Sequence, residues 1–218
     1  PKGLFGINIG PNKDTSNRMD DYLIGLRKFY NLADYLTINI SSPNTENLRS
    51  FHNEDELNEL LNLIEKEKKI LKTTVPITVK ISPDIEDQNI NIISDLLLKH
   101  NVEALIVSNT TDKSRENLYN INKLEKGGLS GKPLEKRSNE LINKFYKILK
   151  NKIKIIGVGG VDSGQSAYQK IISGASLVQL YTGMIYQGPS IASKISEELI
   201  NILDKEGVKN ISDIVGSK

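Results

Sequence analysis

Six short apolar runs recur along the chain, at Leu4–Gly10, Asp34–Ile40, Ile77–Ser82, Ala104–Asn109, Lys154–Gly160 and Leu177–Thr182. Most are near-continuous stretches of Ile, Val and Leu, the pattern of parallel strands covered on both faces. The segments between them space their apolar residues helically. Over 54–72 these are Leu57, Leu60, Leu61, Ile64 and Leu71, and Asn53 with Glu56 three residues on has the arrangement of a capping box. After Pro189, residues Ile191, Ile195, Leu199, Ile202 and Leu203 form a similar stripe. Strands alternating with helices predict βαβ crossovers and an α/β fold, and nothing between 1 and 218 reads as a linker, so one domain is expected.

Two architectures fit this alternation: an open doubly wound sheet, or a (β/α)8 barrel. The polar residues discriminate. Nearly every run ends in ligand-type chemistry: Asn8-Ile9-Gly10, Asn39 to Thr45, Lys80 to Asp84, Ser108 to Thr111, Gly157 to Gly160, and Tyr181-Thr182-Gly183. An open sheet concentrates its site at one switch point, whereas a barrel gathers every strand end around one mouth. The expectation is a TIM barrel of which about six βα units, strands 3–8, are present. About two units would then be missing on the N-terminal side.

Composition narrows the function classes. The 29 basic and 27 acidic residues nearly cancel, leaving +2, which gives no support for a nucleic-acid partner. No apolar run approaches the roughly 18 residues that span a bilayer. The absence of cysteine removes disulfides, thiolate metal sites and a cysteine base. Two unpatterned histidines, His52 and His100, suggest no metal site.

The stretch Thr37–Thr45 starts as a strand and breaks at Ser41-Ser42-Pro43-Asn44, since Pro43 removes a donor and disfavours a helix. It reads either as a capped turn or as a polar strand mouth suited to a ligand. Gly157-Val158-Gly159-Gly160, with Asp162-Ser163-Gly164 opening the next helix, suits a phosphate: glycines let amides approach an anion, and the helix N-terminus adds a favourable dipole. Tyr181-Thr182-Gly183 follows the next strand, and loops after the last two barrel strands often bind phosphate. Lys80 lies in an apolar run and needs either a carboxylate across the barrel or an electron-rich ligand. Asn39, Asn44 and Asn109 offer paired donors and acceptors for a planar substrate, or else cap strand ends. Ser42 is the only candidate base at the loop centre, and it would need a hydrogen-bonded relay. His52 is read as structural or exposed, and His100 as a helix-end residue.

Taken together, the motifs G-I-N-I-G (6–10), N-I-S-S-P-N-T with L-R-S (39–45, 48–50), K-I-S-P-D (80–84) and S-N-T-T (108–111) belong to an ordered set. It continues with G-G-L-S-G-K-P-L (127–134), G-V-G-G-V (157–161) and G-A-S-L-V-Q-L-Y-T (174–182). In order and spacing the chain resembles dihydroorotate dehydrogenase of the second, quinone-linked class.

The resemblance implies a barrel with FMN across its mouth, oxidising dihydroorotate to orotate in pyrimidine synthesis and passing electrons to a quinone. It makes Ser42 the base that removes the C5 proton. It makes Asn39 a contact of both flavin and substrate, and Asn44, Asn109 and Thr110 contacts of orotate. Asn8, Lys80, Ser108, Gly131, Gly159, Gly160, Tyr181 and Thr182 become flavin-binding positions. Ser108 stands where the family usually has threonine, and Ser82 where it has alanine. The resemblance also implies a peripheral membrane contact, at a bacterial or mitochondrial inner membrane, through an N-terminal segment without counterpart here. Another FMN barrel acting on a different cyclic amide, or a non-catalytic remnant, are the rival readings.

Overall fold

The computed structural model describes residues 3–43, 48–113 and 115–218. Its strands are β1 (Gly6–Ile9), β2 (Tyr35–Asn39), β3 (Ile77–Ile81), β4 (Ala104–Val107), β5 (Lys154–Val158) and β6 (Leu177–Gln179). The helices are α1 (Arg18–Phe29), α2 (Glu54–Leu71), α3 (Asp87–Lys99), α4 (Glu135–Leu149), α5 (Gly164–Ile172), α6 (Thr182–Gln187) and α7 (Ile191–Lys205).

All five strand pairings are parallel, and the strands lie side by side in chain order from β1 to β6. A doubly wound sheet reverses direction at a switch point. This sheet never reverses, so its order is that of a barrel wall, six βα units long among the described residues. Its two faces divide the labour. Leu36, Ile38 and Ile40, with Ile77, Val79 and Ile81, point into one large core shared with Leu57, Leu60, Leu61 and Ile64 of α2. The opposite face carries the alternate residues, and register places Asn8 beside Thr37, Asn39 beside Lys80, and Lys80 beside Ile106. That face is polar across β1–β3, where the Thr37 and Thr78 hydroxyls bond at 2.8 Å. It turns apolar across β4 and β5, where Ala104, Ile106 and Ile156 cluster with Val158.

Every strand is shorter at its C-terminal end than its apolar run suggests. Gly10, Ser82, Asn109 and Gly160 fall outside the ladders, and Thr182 opens α6 rather than closing a strand. These residues leave the sheet because their side chains or glycine backbones serve loops instead. The capping box expected at α2 is also absent. Asn53 holds the N-cap position without a side-chain bond, and Glu56 accepts from the Ser50 hydroxyl instead.

An ion network ties three of the strand-end loops together. Arg49, in the 3-10 turn Leu48–His52 after β2, reaches Asp84 after β3 at 3.1 Å and Asp112 after β4 at 2.9 Å. Thr111 donates to the other Asp84 oxygen at 2.5 Å. His52 is buried under this network and accepts weakly from the Ser82 N–H at 3.4 Å. Burial first, and the Arg49 charge second, push the His52 imidazole down to about 4, so the folded protein holds it neutral.

Two outcomes are expected. Arg49→Met strands the Asp84 carboxylate and should lower unfolding free energy in urea by roughly 2–3 kcal/mol, at or below the range for fully buried pairs. Unfolded His52 takes up a proton near pH 6.5 while the folded one does not, so stability should fall as pH drops from 6.5 toward 4. At pH 5 the loss is about 2 kcal/mol. In His52→Gln, whose amide can still accept from Ser82, the difference between pH 7 and pH 5 should shrink by that amount.

Candidate functional site

The parallel order brings six strand ends to one rim, and two clusters form there. The first lies over the ends of β2–β4. Asn39 Oδ1 accepts from the Ser41 hydroxyl at 2.8 Å and from Asn109 Nδ2 at 3.4 Å. Asn109 Nδ2 also reaches Ser41 Oγ at 3.0 Å, and its Oδ1 accepts from the Thr110 N–H at 2.8 Å. Two carboxamides from strands two positions apart thus meet, and register places Asn39 beside Lys80 of the strand between them. The Tyr22 hydroxyl, from α1, donates to the Asn39 carbonyl at 2.7 Å and fixes the strand end from beneath. Tyr22 is fully buried, edge-on to Phe51, and burial raises its phenol above the usual range, so it remains a donor.

The second cluster lines a cavity of about 540 Å³ between the ends of β3–β6. A volume of this size suits a cofactor-sized ligand. Seven of the residues singled out as cofactor contacts lie on its wall: Lys80, Ser108, Gly131, Gly159, Gly160, Tyr181 and Thr182. Asn109 and Thr110 join them at the edge shared with the first cluster. The cavity is therefore graded, with amides and an ammonium at one end and glycines and hydroxyls at the other.

The surroundings of Lys80 bear on the choice left open by its position. It is half-buried, it has no ion pair or hydrogen bond among the described residues, and burial lowers its amine below the ordinary value. No carboxylate among the described residues pairs with it across the sheet. A partly desolvated cation without a counter-charge favours an anionic or electron-rich ligand beside it.

At the other end, Gly159 and Gly160 have φ of 111° and 77°, in the left-handed region where a side chain is strained. A Cβ on Gly160 would also lie 2.5 Å from that of Glu135. Their N–H groups find no acceptor among the described residues. The N-terminus of α5 does not share this role, contrary to the expectation for Asp162-Ser163-Gly164. Ser163 and Ser166 close a capping box on each other, and the Gly164 N–H donates to Glu198 at 2.6 Å. These amides are already satisfied, which leaves the glycine pair and the Thr182 hydroxyl, bonded to Ser130 at 2.9 Å, as the anion-type end.

The remaining residues fall elsewhere. Ser42 is half-buried and follows Ser41 on the carboxamide side, off the cavity wall. Asn8 shares the inner face but stands exposed on β1, away from the cavity. Asn44 lies outside the described residues. His100 caps α3 and contacts Asn58 at 3.0 Å and Glu65 at 3.2 Å, apart from the site. Ser41, Ser130 and Tyr22 were not singled out from sequence; the first two sit inside the quoted motifs, while Tyr22 has only its place in a helix to mark it. No three His, Cys, Asp or Glu side chains among the described residues could hold a metal ion together.

Comparison with known proteins bears on all of this geometry. The profile of the family described as dihydroorotate dehydrogenase matches residues 2–203. The chain is 44% identical over 216 residues, 97% of its length, to the dihydroorotate dehydrogenase (quinone) of Bartonella tribocorum. It is 47% identical over 200 residues to the protein of that name from Nitrosomonas europaea. It spans 60% and 58% of those two relatives. Among solved structures, the ligand-free dihydroorotate dehydrogenase of Eimeria tenella superposes with a TM-score of 0.93 at 37% identity, covering 98% of this chain and 64% of that one. The same enzyme with ferulenol gives 0.92 at 38%, covering 96% and 60%. With a profile match over nearly all of its length and relatives at this identity, the chain belongs to the dihydroorotate dehydrogenase family.

Proposed function

We propose that the chain forms the greater part of a single barrel domain that binds FMN and oxidises dihydroorotate to orotate, with a quinone as the final electron acceptor. The observation that carries this reading is Lys80, a half-buried ammonium without a counter-ion among the described residues, on the wall of the cavity beside the carboxamide cluster. FMN fits that grading. The glycine pair with Thr182 suits its phosphate, the apolar Val158 and Leu180 its ring, and Lys80 the ring's electron-rich edge. When bound, FMN supplies the acceptor for the hydride that leaves C6 of the substrate.

The protein's own contributions follow from its groups. Asn39 and Asn109 hold each other in place, and Asn109 with Thr110 offers donors and acceptors to a planar pyrimidine, joined by Asn44. Ser42 takes the proton from C5. Lys80 offsets the negative charge that accumulates as electrons arrive. Asn8, exposed on β1 and away from the cavity, is a further flavin contact on the strength of the family resemblance alone. A quinone acceptor dissolves in membranes, so the reading places the protein against a membrane surface as a peripheral enzyme. No helix among the described residues is long and apolar enough to cross one.

The test is the anaerobic visible spectrum of the full-length protein before and after dihydroorotate is added. A flavin spectrum that bleaches is expected. A flavin spectrum that stays unchanged would transfer the reading to a different cyclic amide, and a folded protein devoid of flavin would overturn the cofactor. Ser42→Ala should keep its flavin yet bleach at least about a hundredfold more slowly with dihydroorotate. Bleaching at the normal rate in that variant removes Ser42 from its role.

A further inference from the structure

Lys170, on α5, is fully buried, and nothing in the site described so far uses it. Its ammonium donates to two neutral oxygens, Ser138 Oγ at 3.0 Å and Asn139 Oδ1 at 3.0 Å, and touches no carboxylate among the described residues. Burying a charge in this way is costly, and burial lowers its amine to about 8 despite some help from the Glu135 charge. The lysine at the cavity rim is held differently. Lys132 stands exposed at the rim and pairs with Glu135 at 2.7 Å and Asp162 at 3.6 Å.

What lies beyond Lys170 gives its charge a direction. Ser138 has one hydroxyl hydrogen and two carbonyls in reach, Val158 at 2.7 Å and Val107 at 3.2 Å. Because the ammonium occupies a lone pair of Ser138 Oγ, the hydroxyl acts as donor, and the shorter contact directs it to Val158. The Val158 carbonyl belongs to the same peptide plane as the Gly159 N–H. In a trans peptide those two groups point in opposite directions. The carbonyl is held by Ser138 of α4 and by the Ser108 N–H at 3.2 Å, while the N–H on the opposite side of the plane belongs to Gly159 on the cavity wall and finds no acceptor among the described residues. A hydrogen-bonded chain polarises each of its members in turn, and more so where the dielectric is low.

We propose that Lys170 is a positioning residue for the anionic end of the cavity, holding and polarising the Val158–Gly159 peptide through Ser138 so that its N–H receives the phosphate of a flavin mononucleotide. The ammonium itself never touches the ligand. It supplies a positive charge behind the cradle, which a dianionic phosphate uses and a neutral alcohol does not. This rests on the FMN reading above.

The test compares FMN with riboflavin, which has the same ring and no phosphate, by quenching of flavin fluorescence in the full-length protein stripped of its cofactor. Wild type is expected to prefer FMN. Lys170→Met should weaken FMN about tenfold, the scale at which groups behind a ligand act, and leave riboflavin unchanged. Ser138→Ala, which keeps the charge and cuts the relay, should reduce the preference for FMN by a smaller factor. It also serves if Lys170→Met does not fold. A merely structural lysine would weaken both flavins equally, and that result, or an unchanged preference in both variants, overturns the proposal while the FMN reading stands. A wild type that binds both flavins alike overturns the phosphate assignment itself.

Discussion

Parallel pairing in unbroken chain order constrains everything else in this structure. Each strand must run the same way as its neighbour, so each returns through a helix and each ends at the same rim. Residues that leave the sheet at that rim meet residues far away in sequence, as Asn39 meets Asn109. The helices all answer to one face, where Ile38, Val79 and Leu105 are packed beyond the reach of water. The inner face is thereby released from building that core, and can carry Thr37, Thr78 and Lys80 in positions that a doubly covered sheet would fill with valine.

Three cations near the rim illustrate how differently a protein can hold a charge. Arg49 is neutralised by two aspartates and acts as a rivet between loops. Lys170 is solvated by a hydroxyl and an amide, which lower its cost without cancelling its field. Lys80 has neither. Of the three, only Lys80 lies on the cavity wall, where the cost of a partly buried charge is not offset by a partner among the described residues.

Much of the fold was legible because strand and helix signals depend on local spacing. The Ile77–Ile81 run and the Leu57–Ile64 stripe announce themselves within a few residues, and polar chemistry at every strand end identified the barrel before any pairing was known. The errors came where a backbone group was claimed by something distant. Ser163 and Gly164 look like an anion site until Glu198, thirty-odd residues on, takes the amide. Glu56 looks like half of a capping box until Ser50 supplies a nearer hydroxyl. The cavity residues were legible mainly as an ordered set of motifs, since a glycine pair or a lone lysine has many uses. Tyr22 was not legible at all: its role depends on a carbonyl that only the folded strand presents.

The chain-order sheet also shapes how the molecule can be made. Paired strands are never far apart in sequence, from Ile156 with Leu177 at the near extreme to Ala104 with Lys154 at the far one. Each new βα unit therefore finds its docking edge already synthesised, and no strand has to wait for one inserted later between itself and its neighbour. Assembly can follow the ribosome, one unit at a time, with short loop closures throughout. The same arrangement gathers the rim progressively, so that the carboxamide cluster is complete once β4 has docked, before the glycine loop after β5 emerges.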